Sequence, residues 1–321
     1  MSAETDLVMQ WNASGAIARG DVPRALRVAG AEPDGQRWLA FVEWLTLGAG
    51  AALVAVALVF FIAYNWHAMG SVARFALVEG AIVVAVAIAL WRGPDTTMGA
   101  AALCAAAIAT GALLALVGQT YQTGADTWEL FAAWALAILP WTLLGRQAPL
   151  WLLMLAIVNL ASQAWFARWG MASAAGGQGA LWTLVLVNAG ALALWEIGRR
   201  RSWRAFEADW ALRVVAAASG VAATIAGIDA IVDSRAAAPA LGVAWLLWLA
   251  GLWVGFRMRR VDVFVLAVGL GSTVVVAALF LGKHLFASAG FLSPLLVGAV
   301  VIGIAAGGIV LLKDIAREVR P

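Results

Sequence analysis

The run Gly99–Val117, GAAALCAAAIATGALLALV, holds no charged residue, and it is followed at once by the polar stretch Gly118–Asp126, GQTYQTGAD. A second apolar run, Trp128–Leu144, WELFAAWALAILPWTLL, comes directly after. A helix rises about 1.5 Å per residue, so each run is close to the length that crosses the roughly 30 Å hydrocarbon core of a bilayer. The composition agrees: 64% of the residues are hydrophobic and 12% are charged, against about 25% charged in a soluble domain. The pattern reads as two membrane spans joined by a loop at the interface.

The same alternation continues along the chain. Candidate spans lie near Trp44–Ala63, Val72–Trp91, Gly99–Val117, Trp128–Leu144, Leu150–Phe166, Ala180–Ile197, Leu212–Ile231, Pro239–Phe256, Val263–Leu281 and Leu292–Leu312. The fold class is therefore all-α, a polytopic helical membrane protein of about ten spans. The sixth and seventh spans have the softest boundaries. Residues 1–43 form a polar N-terminal segment, 44–312 the membrane domain and 313–321 a short tail. In the N-terminal segment, Asp6–Ala13 and Val22–Ala29 are expected as two short helices, with Asp21 as N-cap and Pro23 in the first turn. The polar first forty residues do not resemble a signal peptide, so the first span is expected to stay as an anchor.

Lysine and arginine gather on the cytoplasmic side of membrane proteins. With the N-terminus inside, all of the 21 basic residues except Arg74, Arg168, Arg235 and Lys283 fall in inner segments. The expectation is a multi-pass protein of a bacterial inner membrane with both termini cytoplasmic. The short basic clusters alternate with apolar runs and are not interleaved with aromatics, so nucleic acid is not an expected partner. The lipid bilayer is.

Once orientation is assigned, the scarce polar side chains sort by side. Both tyrosines, Tyr64 and Tyr121, both histidines, His67 and His284, and Asn65, Trp66, Gln119, Gln122, Asp126 and Glu129 fall at the outer face. Interfacial anchoring accounts for the aromatics; it does not account for the amides and carboxylates. Glu79 lies seven residues past Val72, about 10 Å into the membrane. A carboxylate there costs about 2.5–3.5 kcal/mol and is neutral, paired or beside water. Asn159, Gln163 and Asn188 read as hydrogen-bonding links between helices. Gly303 and Gly307, four apart, are small residues of the kind that let helices approach.

Motifs for chemistry are missing. The chain has no phosphate-binding Gly-x-x-x-x-Gly-Lys loop, no His-Glu-x-x-His and no Cys-x-x-Cys. With two histidines and the single Cys104, which reads as a packing residue, neither a metal nor another cofactor is expected. Asp126 has two readings that stay open: Asp126-Thr-Trp-Glu129 has the order of a capping box, and Asp126 also sits among the outer polar residues.

Three segments together, Phe61-Ile-Ala-Tyr-Asn-Trp66, Gly118–Asp126, and Trp128-Glu-Leu-Phe131 leading through Trp134 to Leu139-Pro140, resemble the bacterial membrane-protein family of unknown function 2157 (DUF2157). The resemblance covers roughly Asp6–Trp151 and rests on two spaced motifs in the right order. It supplies no activity. It implies an N-terminal cytoplasmic helical segment and an association with other membrane-protein subunits, and it draws attention to Asn65, Trp66, Gln119, Tyr121, Gly124, Asp126, Trp128 and Pro140.

Three functional readings follow. The first is a transporter-like protein with an outward-facing polar pocket built from Asn65, Trp66, Glu79, Gln119, Tyr121 and Asp126, of unknown substrate. The second is a non-catalytic structural or assembly subunit of an envelope complex. The third, ranked last, is an enzyme acting on a lipid-linked or periplasmic substrate; no catalytic residue is assigned, since too few outer basic residues are present to hold a phosphorylated head group.

Overall fold

A computed structural model describes residues 3–28, 35, 38–39, 42, 46, 53, 57, 60–61, 64–65, 68–169, 174–233, 238–259, 261–285 and 293–318. Most of the expected first span, together with Trp66 and His67, lies outside the described residues. The chain divides into two compact units, Met1–Gly70 and Ser71–Val319.

The first unit opens with the helical pair anticipated from sequence. Helix α1 spans Ala3–Ala13, a 3-10 turn spans Arg19–Asp21, and α2 spans Val22–Val28, with Pro23 in its first turn. The chain reverses after α1 at Gly15, whose φ of 76° lies in the left-handed region that glycine enters without a Cβ clash. Val8 is the buried apolar anchor of this segment.

The second unit holds nine helices that are long and apolar enough to cross a membrane, among the described residues. They are α3 Ser71–Arg92, α4 Thr97–Tyr121, α5 Thr127–Gly145, α6 Ala148–Trp169, α7 Ala174–Arg200, α8 Asp209–Val232, α9 Ala238–Trp253, α10 Val263–Leu285 and α11 Ser293–Glu318. A π-helical turn, Val254–Arg259, prolongs α9. Each coincides with one of the nine later spans read from the sequence, and the uncertain pair around residues 168–235 separates into α7 and α8.

The helix ends follow from local chemistry. Thr96 caps α4, its hydroxyl accepting from the Gly99 amide at 3.0 Å. Gln122 ends the same helix in the left-handed conformation (φ 47°), its N–H returning to the Gly118 carbonyl. Pro140 is tolerated inside α5, as prolines are where packing within the protein compensates for the lost backbone bond.

Packing is sequential, each helix lying against its neighbours in the chain, except around α8. That helix packs on α7, α9 and α10 and is the most buried span of the unit. Its small face explains the closeness. A Cβ on Gly220 would lie 2.3 Å from Val268 Cγ1, and one on Gly227 would lie 2.9 Å from Val276 Cγ2. Trp248 donates to Ser219 Oγ at 2.8 Å and Trp245 to Ser272 Oγ at 2.9 Å. The Ser272 and Thr224 hydroxyls are 2.8 Å apart, and Thr224 donates to the Gly220 carbonyl at 2.6 Å. Each hydroxyl has one proton, so the order runs indole to Ser272, Ser272 to Thr224, Thr224 to the backbone.

In the N-terminal half of the unit, Ala89, Leu103, Ala107, Ile138, Leu150 and Ile157 form a core across α3–α6, and Cys104 packs against it as a small apolar residue, as expected. Trp134 lies over Gly111, where a Cβ would come within 2.4 Å of the indole, and donates to the Ala107 carbonyl at 2.8 Å. Sequence reading chose Gly303 and Gly307 for close approach, but both face open space; Gly308 is the close contact, with Leu270 Cδ1 2.2 Å from its hypothetical Cβ. Spacing alone does not tell which side of a glycine-rich helix meets its neighbour.

Candidate functional site

One end of the second unit is basic. Arg204 pairs with Asp95 at 2.7 Å, Arg199 with Asp209 at 2.5 Å and Arg257 with Glu318 at 2.7 Å. Gln147 donates to the Pro94 carbonyl. These contacts join the loops after α3, α5 and α7 and the ends of α9 and α11. All of them are segments that the charge pattern puts on one side.

Away from this end lie four of the residues singled out in the sequence, Glu79, Gln119, Tyr121 and Asp126. The stretch Gly118–Tyr121 is the last turn of α4 and not part of a loop, because the helix runs on until Gln122 caps it. Gln119 and Tyr121 are therefore on a helix, and both are exposed. The Tyr121 ring lies 6.0 Å from that of Phe75 on α3. Glu79 follows Phe75 by four residues, which puts it one turn deeper on the same side of α3. It is exposed, and it makes no hydrogen bond or ion pair among the described residues. Around it, Val72, Val83 and Val84 are exposed as well. Among the described residues the one extensive contact of α3 is with α4.

Asp126 has found its partners. It N-caps α5 in a capping box, with the Glu129 carboxylate accepting from the Asp126 backbone N–H at 3.0 Å. Its own carboxylate accepts from Arg168 Nε at 3.2 Å, tying α5 to the end of α6. Sequence reasoning placed both residues at the outer face without pairing them. Gly124 has φ 67°, as the turn requires. Beside this pair, Trp128 meets Trp165 edge-on at 4.6 Å, and Arg168 lies over the Trp169 ring at 4.6 Å. The cluster has the composition of an interfacial anchor.

Asn65 belongs to the first unit, where its side chain donates to the Phe61 carbonyl at 2.9 Å. The mid-span amides behave as anticipated. Asn188 donates to Asn159 Oδ1 at 2.7 Å, and Gln163 donates to the Ala180 carbonyl at 3.2 Å, linking α6 to α7.

Among the described residues, clefts open between helices in the half of the membrane unit nearer the basic end. One, of about 250 Å³, lies between α9, α10 and α11 and is lined by Leu252, Trp253, Leu266, Leu270, Gly308 and Leu312 among others. Another, of about 210 Å³, lies between α6 and α7. Neither is lined by Glu79, Gln119, Tyr121 or Asp126. Among the described residues no group of three or more His, Cys, Asp or Glu side chains is placed to hold a metal ion.

Nine apolar spans among the described residues, with α8 as the polar-linked hub of the C-terminal ones, define a multi-pass α-helical membrane protein. Residues 9–151, from α1 into the first turn of α6, match the family model described as Predicted membrane protein (DUF2157), the family that the sequence resembles. No curated protein and no solved structure matches the chain.

Proposed function

We propose that the protein is a non-catalytic subunit of a membrane assembly, docking through the exposed face of α3 that carries Glu79. The observation that carries this reading is the position of that carboxylate. It lies eight residues into a 22-residue span, roughly 12 Å from the helix start, on a face that is exposed among the described residues. Leaving it in hydrocarbon costs about 2.5–3.5 kcal/mol. A second helix bearing a hydrogen-bond donor removes that cost and gains the contact. The occupant proposed is a transmembrane helix of another polypeptide that offers an amide, hydroxyl or cationic side chain to Glu79. The other polar groups at this end do not compete for it, since Asp126 is engaged by Arg168 and Glu129. The family resemblance, with its implied co-subunits, supports the same reading.

The basic end is taken as cytoplasmic, which puts both termini inside and the Glu79 end outward in a bacterial inner membrane. Purification of the tagged chain from its native host in mild detergent tests the proposal. Wild type is expected to bring a defined membrane protein in a fixed ratio, Glu79→Gln to retain part of it, and Glu79→Leu to lose it. A wild-type chain that runs alone overturns the reading. Transport, the reading that needs a polar pocket at this end, makes a different prediction: solute flux in proteoliposomes of the chain by itself, abolished by Glu79→Gln.

A further inference from the structure

We propose that the cleft between α6 and α7 is a binding site for one anionic phospholipid of the leaflet at the basic end, with an acyl chain in the cleft and the phosphate at Arg199. This rests on a different surface from the α3 reading and stands or falls without it.

The cleft has the shape of a chain and not of a compact solute. Its volume of about 210 Å³ falls below the roughly 300–1,000 Å³ of small-molecule pockets. Its walls are apolar and follow single helix stripes, with Trp151, Leu155 and Val158 on α6 facing Gly190 and Trp195 on α7. From Trp151 to Val158 the stripe runs about 10 Å along the helix, within the depth of one leaflet. It stops where Asn159 and Asn188 bridge the two helices. At the other extreme Phe206, folded back by the 3-10 turn Arg204–Phe206, stands against Trp151 and Trp195 at ring separations of 5.1 and 4.9 Å.

Near the mouth of the cleft two donors are left open beside one open acceptor, Glu196 Oε2, whose other oxygen pairs with Arg200. Arg199 lies one turn beyond Trp195 on the same face of α7. Its side chain is 7% exposed; Nη2 reaches Asp209, while Nη1 is buried without a hydrogen-bond partner among the described residues. The indole Nε1 of Trp195 is likewise buried and unpaired, in a residue 2% exposed. Buried donors left open are costly, the more so on a cation. Arg201 adds a charge with no carboxylate partner among the described residues, only the Trp203 ring at 5.7 Å. A ligand that brings several acceptor oxygens, a negative charge and a linear apolar tail satisfies all three. A phosphate diester on acyl chains has that chemistry, and arginine is suited to phosphate.

Native mass spectrometry of the purified full chain, reconstituted with equal amounts of phosphatidylglycerol and phosphatidylethanolamine, tests the site. One phosphatidylglycerol is expected to persist under activation that strips the other lipids, with at least a fivefold preference over phosphatidylethanolamine. Gly190→Leu places its side chain into space where nothing lies within 4 Å of a Cβ, so it fills the cleft without a clash and is expected to remove the retained lipid. Arg201→Gln is expected to cut the preference, and Arg199→Gln to abolish it. Arg257→Gln, at an arginine already paired with Glu318, is expected to change nothing. Equal retention of the two lipids, or a retained phosphatidylglycerol untouched by Gly190→Leu, overturns the proposal.

Discussion

Helices α3 and α8 are of similar length, 22 and 24 residues, and of similarly apolar composition, yet two residues of the first and ten of the second are buried within the molecule. The difference lies in where each spends its small and polar residues. On α8, Ser219 and Thr224 meet Trp248 and Ser272, and Gly220 and Gly227 admit the valines of α10. Its polarity is matched inside the chain. On α3, Gly80 faces open space and Glu79 faces outward beside it. Among the described residues the Glu79 carboxylate has no hydrogen bond or ion pair. In lipid, where burying apolar surface drives no association between helices, this unmatched group is the reason the α3 face is proposed as the docking surface for a further helix.

The comparison breaks first at Glu79. Replacing it with leucine is expected to lower the apparent cost of inserting the α3 segment by about 2.5–3.5 kcal/mol in a translocon insertion assay, while thermal unfolding of the purified chain in detergent stays unchanged or rises. A large loss of stability on Glu79→Leu would show the carboxylate to be an internal structural group. Next in size is a glycine pair. Gly220→Val puts a methyl-bearing carbon against Val268 and is expected to cost about 1–3 kcal/mol in unfolding, as overpacking does. Gly80→Val on α3 is expected to cost much less, so equal effects would erase the distinction between the two helices. Asn188→Leu is expected to cost about 0.6–1.7 kcal/mol, the range of single interhelical hydrogen bonds in membranes, and the double change with Asn159→Leu less than the sum of the singles. The exposed pair Asp126–Arg168 stands last: Arg168→Gln is expected to shift stability by at most about 1 kcal/mol, read by the same unfolding measurement.

The spans were legible because membrane helices are written as uninterrupted apolar length. Helix ends were less so. The polar Gly118–Tyr121 reads as loop, yet it is helix, since a helix leaving the hydrocarbon can carry polar residues until a left-handed cap at Gln122 stops it. The capping box at Asp126 was visible as a local pattern; its bond to Arg168, 42 residues on, was not, because nothing in either segment names the other. The tryptophan–serine links around α8 were hidden for the same reason. Of the candidate pocket, sequence supplied the depth of Glu79 along its span, and the structure added that Asp126 is paired with Arg168 and that Tyr121 stands by Phe75.

The most direct test of the α3 face is position-specific photocrosslinking in native membranes. A benzophenone side chain at Ala76 or Val83, on the exposed face of α3 to either side of Glu79, is expected to give one discrete adduct with a second polypeptide, lost in the Glu79→Leu background. Adducts with lipid alone at both positions, in wild type as in the variant, would contradict the account.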